Sequence, residues 1–144
     1  MTPVLMGRWQ TRLFLLLVIG GLWTLIIAPF LPGPGESGDK YQAAFSVLAV
    51  VFVVGILWDI LWFGLQQFRW EKDWPIMFAL LVGIPEGVVA WLVMDSGSVP
   101  GDPAITGGAF LVHFATVWIL TWLFAIGPMR VPFLRWRFSG GRLV

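Results

Sequence analysis

No cysteine occurs in this chain, which excludes disulfides, thiolate metal sites and cysteine nucleophiles. There is one histidine, His113, too few for a multi-histidine metal centre or a bis-histidine haem within one chain, so no metal site is expected. Charge is scarce as well. Asp, Glu, Lys and Arg together make up 12% of the residues, about half the share of an ordinary soluble domain. No polar stretch is long enough to fold as a separate domain. Nothing has the spacing of a phosphate-binding loop, a metalloprotease helix or a dinucleotide fingerprint. Gly107-Gly108 and Gly140-Gly141 lack the strand that such a fingerprint needs.

What is present is apolar. Hydrophobic residues reach 58% and mean hydropathy is +0.86. They concentrate in four runs, residues 13–31, 43–65, 74–94 and 108–126, each close to the roughly 20 residues that cross a bilayer as a helix. None alternates in the way a strand does, and all exceed a strand's usual length. The expected fold is therefore all-α: an integral membrane four-helix protein with short loops, residues 1–144 forming one four-span domain. Arg8 and Arg12 before the first run resemble the start of a signal peptide. The run ends in PFLPGPG rather than a small-residue cleavage site, so a retained helix is expected.

The basic residues set an orientation. Arg8 and Arg12 precede the first run, Arg69 and Lys72 separate the second from the third, and Arg130, Arg135, Arg137 and Arg142 follow the fourth. Only Lys40 of the nine falls elsewhere. By the positive-inside rule both termini are cytoplasmic (N-in/C-in), in what is expected to be a bacterial cytoplasmic membrane. Residues 127–144 form a basic-aromatic cytoplasmic tail, in which Arg135, Trp136 and Arg137 are candidates for lipid or partner contact. Directly after a span, such a segment suits anionic lipid and not nucleic acid.

Ionisable side chains inside hydrocarbon are costly and limit the possible functions most. Three fall in the runs: Asp59, Glu86 and His113. Glu86 follows Pro85, which lacks an N–H, frees the Leu81 carbonyl and is expected to kink the third helix. Ala79, Gly83 and Gly87 recur at fourfold spacing beside Glu86, a small-residue ridge that admits a close helix neighbour. Counting 1.5 Å per residue puts Glu86 roughly 12 Å from the outer end of its span and His113 roughly 8 Å below that surface. Those two could meet, with Thr116, Ser46 and Thr24 completing a polar network. Asp59, roughly 10 Å above Gln66, belongs deeper, with a salt link to a snorkelling arginine. Trp58 with Trp62, and Trp118 with Trp122, are each spaced i,i+4. Such faces could line a cleft for a quinone, carotenoid, lipid tail or porphyrin, and the same spacing serves helix packing.

The order Trp58-Asp59, Trp70, Pro85-Glu86 loosely resembles the small membrane subunits of heterodimeric lycopene cyclases. The likeness covers roughly residues 58–90. It implies that Asp59 and Glu86 match membrane acid positions and that the substrate is a polyene. It departs at Gly87, where the family pairs a second acid with the first.

Three classes remain. The first is a small accessory or structural subunit of a larger membrane complex, packing against other membrane protein subunits and contributing to a lipid, quinone or pigment site. The second is an intramembrane enzyme or redox component acting on a lipid or isoprenoid, with Asp59 or Glu86 as catalytic acid. The third is a small oligomeric transporter or proton path through Glu86 and His113. The sequence names no cofactor and leaves enzymatic activity undecided.

Overall fold

A computed structural model describes residues 4–68 and 76–144. The expectations for Arg69, Trp70, Lys72 and Trp74, and the start of the third span, lie outside the described residues. Four helical spans are long and apolar enough to cross a membrane. The chain is an all-α, four-span integral membrane protein.

The first span runs Leu5–Phe30, beginning eight residues before the expected start at 13. It comprises α1 (Leu5–Phe14), a π-helical segment (Leu15–Gly20), α2 (Gly21–Ile27) and a closing 3-10 turn (Ala28–Phe30). Arg8 and Arg12 stand one helical turn apart on one face of α1. Both bond to the second span, at Gln66 and Asp59. A partner on the facing helix removes the reason for the chain to unwind around its charges. Pro29 cannot bond the Leu25 carbonyl; the Tyr41 hydroxyl donates to it instead, at 2.9 Å.

The second span is α3 (Ser37–Gln67), 31 residues long. That is about 46 Å of helix against a hydrocarbon core of about 30 Å, so it continues beyond the core. Its first turn is capped reciprocally by Glu36 and Asp39. The third span is bent, as Pro85 implies: α4 (Ile76–Leu81) and α5 (Gly83–Asp95) are separated by a turn at Val82. The fourth, α6 (Gly107–Ile126), matches the expected run to within one residue and is capped by the Thr106 side chain accepting from Ala109 N–H.

The buried core lies where α3, α5 and α6 meet the π-helical segment, and includes Leu16, Val47, Val51, Ala90, Phe114 and Val117. After α6 the chain turns through Pro128–Arg130 into α7 (Leu134–Phe138) and folds back onto α1. Val4 N–H donates to the Gly140 carbonyl at 2.9 Å. The Trp136 indole N–H donates to Thr11 Oγ1 at 2.8 Å, and Leu143 N–H to Gln10 Oε1 at 2.8 Å. A Cβ on Gly7 would overlap the Gly140 carbonyl, and Gly140 and Gly141 have φ of +65° and +81°. The Gly140-Gly141 pair is thus a close-approach turn that lets the tail lie on α1. Both described ends meet at one end of the bundle. At the other end the Thr106 hydroxyl joins the two remaining loops by donating to the Pro32 carbonyl.

Candidate functional site

The buried charges converge on one residue. Arg12 Nε and Nη2 donate to Asp59 Oδ2 and Oδ1 at 2.9 and 3.1 Å. Arg12 Nη1 and Nη2 donate to Glu86 Oε1 and Oε2 at 2.6 and 3.3 Å. One guanidinium thereby holds two carboxylates, each through both oxygens, using most of its planar donor fork. Glu86 is 0% exposed, and the side chains of Arg12 and Asp59 are 12% and 9% exposed. The arrangement ties together the first, second and third spans.

Gly55 makes the space. It sits one turn from Asp59 on α3, and a Cβ there would occupy the position of the Arg12 guanidinium. Arg8, one turn before Arg12, donates to Gln66 Oε1 at 2.7 Å and lies within electrostatic range of Asp59. Two guanidiniums and two carboxylates give a formally neutral group. Neutrality and mutual hydrogen bonding are the conditions under which buried charge is tolerated.

This corrects three expectations. Arg12 is a buried part of the first span, not a flank before it. Glu86 is paired with Arg12 and not with His113. Asp59 and Glu86, placed at different depths by counting along separate helices, share one partner. An arginine side chain and its planar fork bridge the offset that a residue count shows between them.

His113 belongs to a second polar pair. It is 0% exposed, with Nε2 2.8 Å from Thr24 Oγ1. The Thr24 hydroxyl also lies 2.7 Å from the Gly20 carbonyl, in the π-helical segment. A carbonyl only accepts, so Thr24 gives its single proton to Gly20 and accepts from His113 Nε2–H. Nδ1 is then the bare nitrogen; it is buried and has no hydrogen-bond partner. The chain of bonds ends on a backbone carbonyl and does not continue to Glu86. Thr116 accepts from the Trp23 indole at 2.9 Å, adding a second tie between the first and fourth spans. Ser46, half-buried on α3, is not bonded to this group.

Gly83 and Gly87 seat an aromatic ladder. Phe110, Phe114 and Trp118 lie one turn apart on α6, with ring centroids 5.6 and 5.8 Å apart. A Cβ on Gly87 would come within 2.6 Å of Phe114, and one on Gly83 would overlap the Trp118 indole. The Trp118 N–H donates to the Leu80 carbonyl at 3.1 Å, beside the Val82 turn. Trp118 therefore fills a notch at the bend. The cavity it borders with His113 has a volume of about 10 Å³, room for one water and not for a quinone or carotenoid. Ala79 is exposed and does not continue the ridge. Trp58, Trp62 and Trp122 are half-buried. In the tail, Trp136 is engaged by Thr11, while Arg135 and Arg137 are exposed.

Sequence reasoning missed Gly55 and the Phe110–Phe114 part of the ladder; of the two polar candidates for the His113 network, Thr24 and Ser46, Thr24 is the one bonded to His113. The i,i+4 spacings of Arg8 with Arg12, Gly55 with Asp59, and Phe110 with Phe114 were the available signals. Among the described residues, no three His, Cys, Asp or Glu side chains cluster as a metal site. These features define a four-span helical membrane protein with an internal ion-pair centre. No protein-family model, curated protein or solved structure matches the sequence.

Proposed function

We propose that the chain is a small accessory or structural subunit of a larger assembly in the cytoplasmic membrane. The observation carrying this reading is the internal engagement of its buried charge. Arg12 binds both Asp59 and Glu86, and each carboxylate is held through both oxygens. The His113 bond chain ends on a backbone carbonyl. Meanwhile only 28–33% of each span's most apolar window is buried within the chain, leaving broad faces for lipid and neighbouring helices. The basic residues around the meeting ends support a cytoplasmic placement of both termini. Purification from native membranes in mild detergent, followed by native mass spectrometry, tests the proposal. A stoichiometric membrane partner is expected; a monomer under conditions that preserve other complexes would contradict it.

A second reading is favoured by one geometric fact. The acids of Trp58-Asp59 and Pro85-Glu86, the pairs that resemble the lycopene cyclase subunits, come together on one guanidinium. Under that reading they form an intramembrane acid site for an isoprenoid or polyene, with Arg12 as the positioning residue. Its test is turnover of a supplied polyene by the protein reconstituted with its partners. Asp59→Asn and Glu86→Gln would abolish turnover in an assembly that still forms. Unchanged turnover in both variants would reject it.

A further inference from the structure

We infer that the exposed side of the C-terminal segment is a docking surface for an anionic phospholipid bilayer, with Arg130, Arg135, Arg137 and Arg142 meeting headgroup phosphates. All four are exposed, and no Asp or Glu occurs in the chain after Asp102. None of the four is in an ion pair among the described residues. Four exposed guanidiniums with no acid among them, one of them (Arg137) lying over the Phe138 ring at 5.3 Å, make a positive patch that attracts an external anion.

The apolar neighbours identify the kind of anion. Val131, Leu134 and Phe138 are 77%, 61% and 66% exposed, interleaved with the arginines. A soluble polyanion would leave those side chains in water. A bilayer surface takes both, with phosphate against the cations and the acyl boundary against the aliphatic and aromatic groups.

Position agrees with composition. The segment begins just after the fourth span and is fastened to the first by Trp136 to Thr11, Val4 to Gly140 and Leu143 to Gln10. These bonds hold it against the end of the bundle, where the spans leave hydrocarbon. Trp136 is the anchor, and the flanking Arg135 and Arg137 remain outward. The surface lies at the end proposed above as cytoplasmic, but binding does not depend on that orientation or on a partner subunit.

The test uses the full chain, purified and reconstituted in nanodiscs of phosphatidylcholine mixed with phosphatidylglycerol. Native mass spectrometry reads the ratio of retained anionic to zwitterionic lipid. Enrichment of phosphatidylglycerol is expected in the native protein. It should fall about twenty-five-fold in Arg135→Gln/Arg137→Gln, since each cation near an anionic surface contributes about a fivefold preference. Lys40→Gln, at the opposite end, should retain the native ratio. Equal retention of both lipids by the native protein would overturn the inference and leave the segment to a protein partner. So would undiminished preference in the double variant, or an equal loss in Lys40→Gln.

Discussion

Arg12 and Glu86 stand 74 residues apart in the chain and meet at 2.6 Å, Nη1 to Oε1, in a fully buried contact on the Glu86 side. The same guanidinium holds Asp59 through both oxygens. One side chain from the first span therefore satisfies the acids of the second and third. In hydrocarbon, where an unpaired charge has no water to turn to, that bond set fixes helix register as well as helix proximity.

Gly55 should be intolerant in a way its neighbours on α3 are not. Gly55→Ala places a methyl where the guanidinium sits, and an expected destabilisation of about 1–3 kcal/mol follows from overpacking. Around Gly64 there is open space, with no atom within 4 Å of where a Cβ would stand. Gly64→Ala should therefore be neutral or stabilising by up to about 1 kcal/mol. Unfolding in mixed detergent and SDS measures both.

Gly87→Ala should push Phe114 aside and disturb the stacked ladder above Trp118. A loss of about 1–3 kcal/mol is expected from the added volume. Val88→Ala, on an exposed position one residue away, should cost much less. The same unfolding assay separates the two.

His113 should carry a proton on Nε2, as its bond to Thr24 requires, and, with no acceptor facing Nδ1, should leave that nitrogen bare. The ¹⁵N spectrum of selectively labelled histidine reports that tautomer directly. Thr24→Val removes the acceptor and leaves the buried ring N–H unsatisfied, at a cost of about 1–3 kcal/mol. A spectrum showing the Nδ1–H tautomer would reject the assignment.

The absence of cysteine makes orientation simple to measure. Ser98 and Ser139 are exposed at opposite ends of the bundle. In intact cells, Ser98→Cys should react with a membrane-impermeant maleimide. Ser139→Cys should react only after permeabilisation. The reverse pattern would invert the proposed topology.

The four spans were legible because each is predominantly apolar over about the length that crosses a bilayer, with at most one ionisable residue inside it, and the bend was legible because Pro85 cannot complete its helical bond. The ion-pair centre was legible only in halves. Asp59 and Glu86 stood out as charges in hydrocarbon-length runs. Arg12 did not, since hydropathy counts a charge before an apolar run as a flank. Only the opposite helices show that its face is lined by acids and by a glycine that leaves room for it. His113 was similarly visible as a buried titratable group. Its partner Thr24 was visible only as one polar residue in an apolar run, and the π-helical segment before it, whose Gly20 carbonyl takes the Thr24 proton, is marked by no residue pattern.

The most direct test of the ion-pair centre compares Arg12→Met with the triple variant Arg12→Met/Asp59→Asn/Glu86→Gln in detergent-phase unfolding. Arg12→Met strands two buried carboxylates and should lose about 3–5 kcal/mol. The triple variant removes the stranded charge and should recover most of that loss. A single variant as stable as the native protein, or a triple variant no better than the single, would contradict the account.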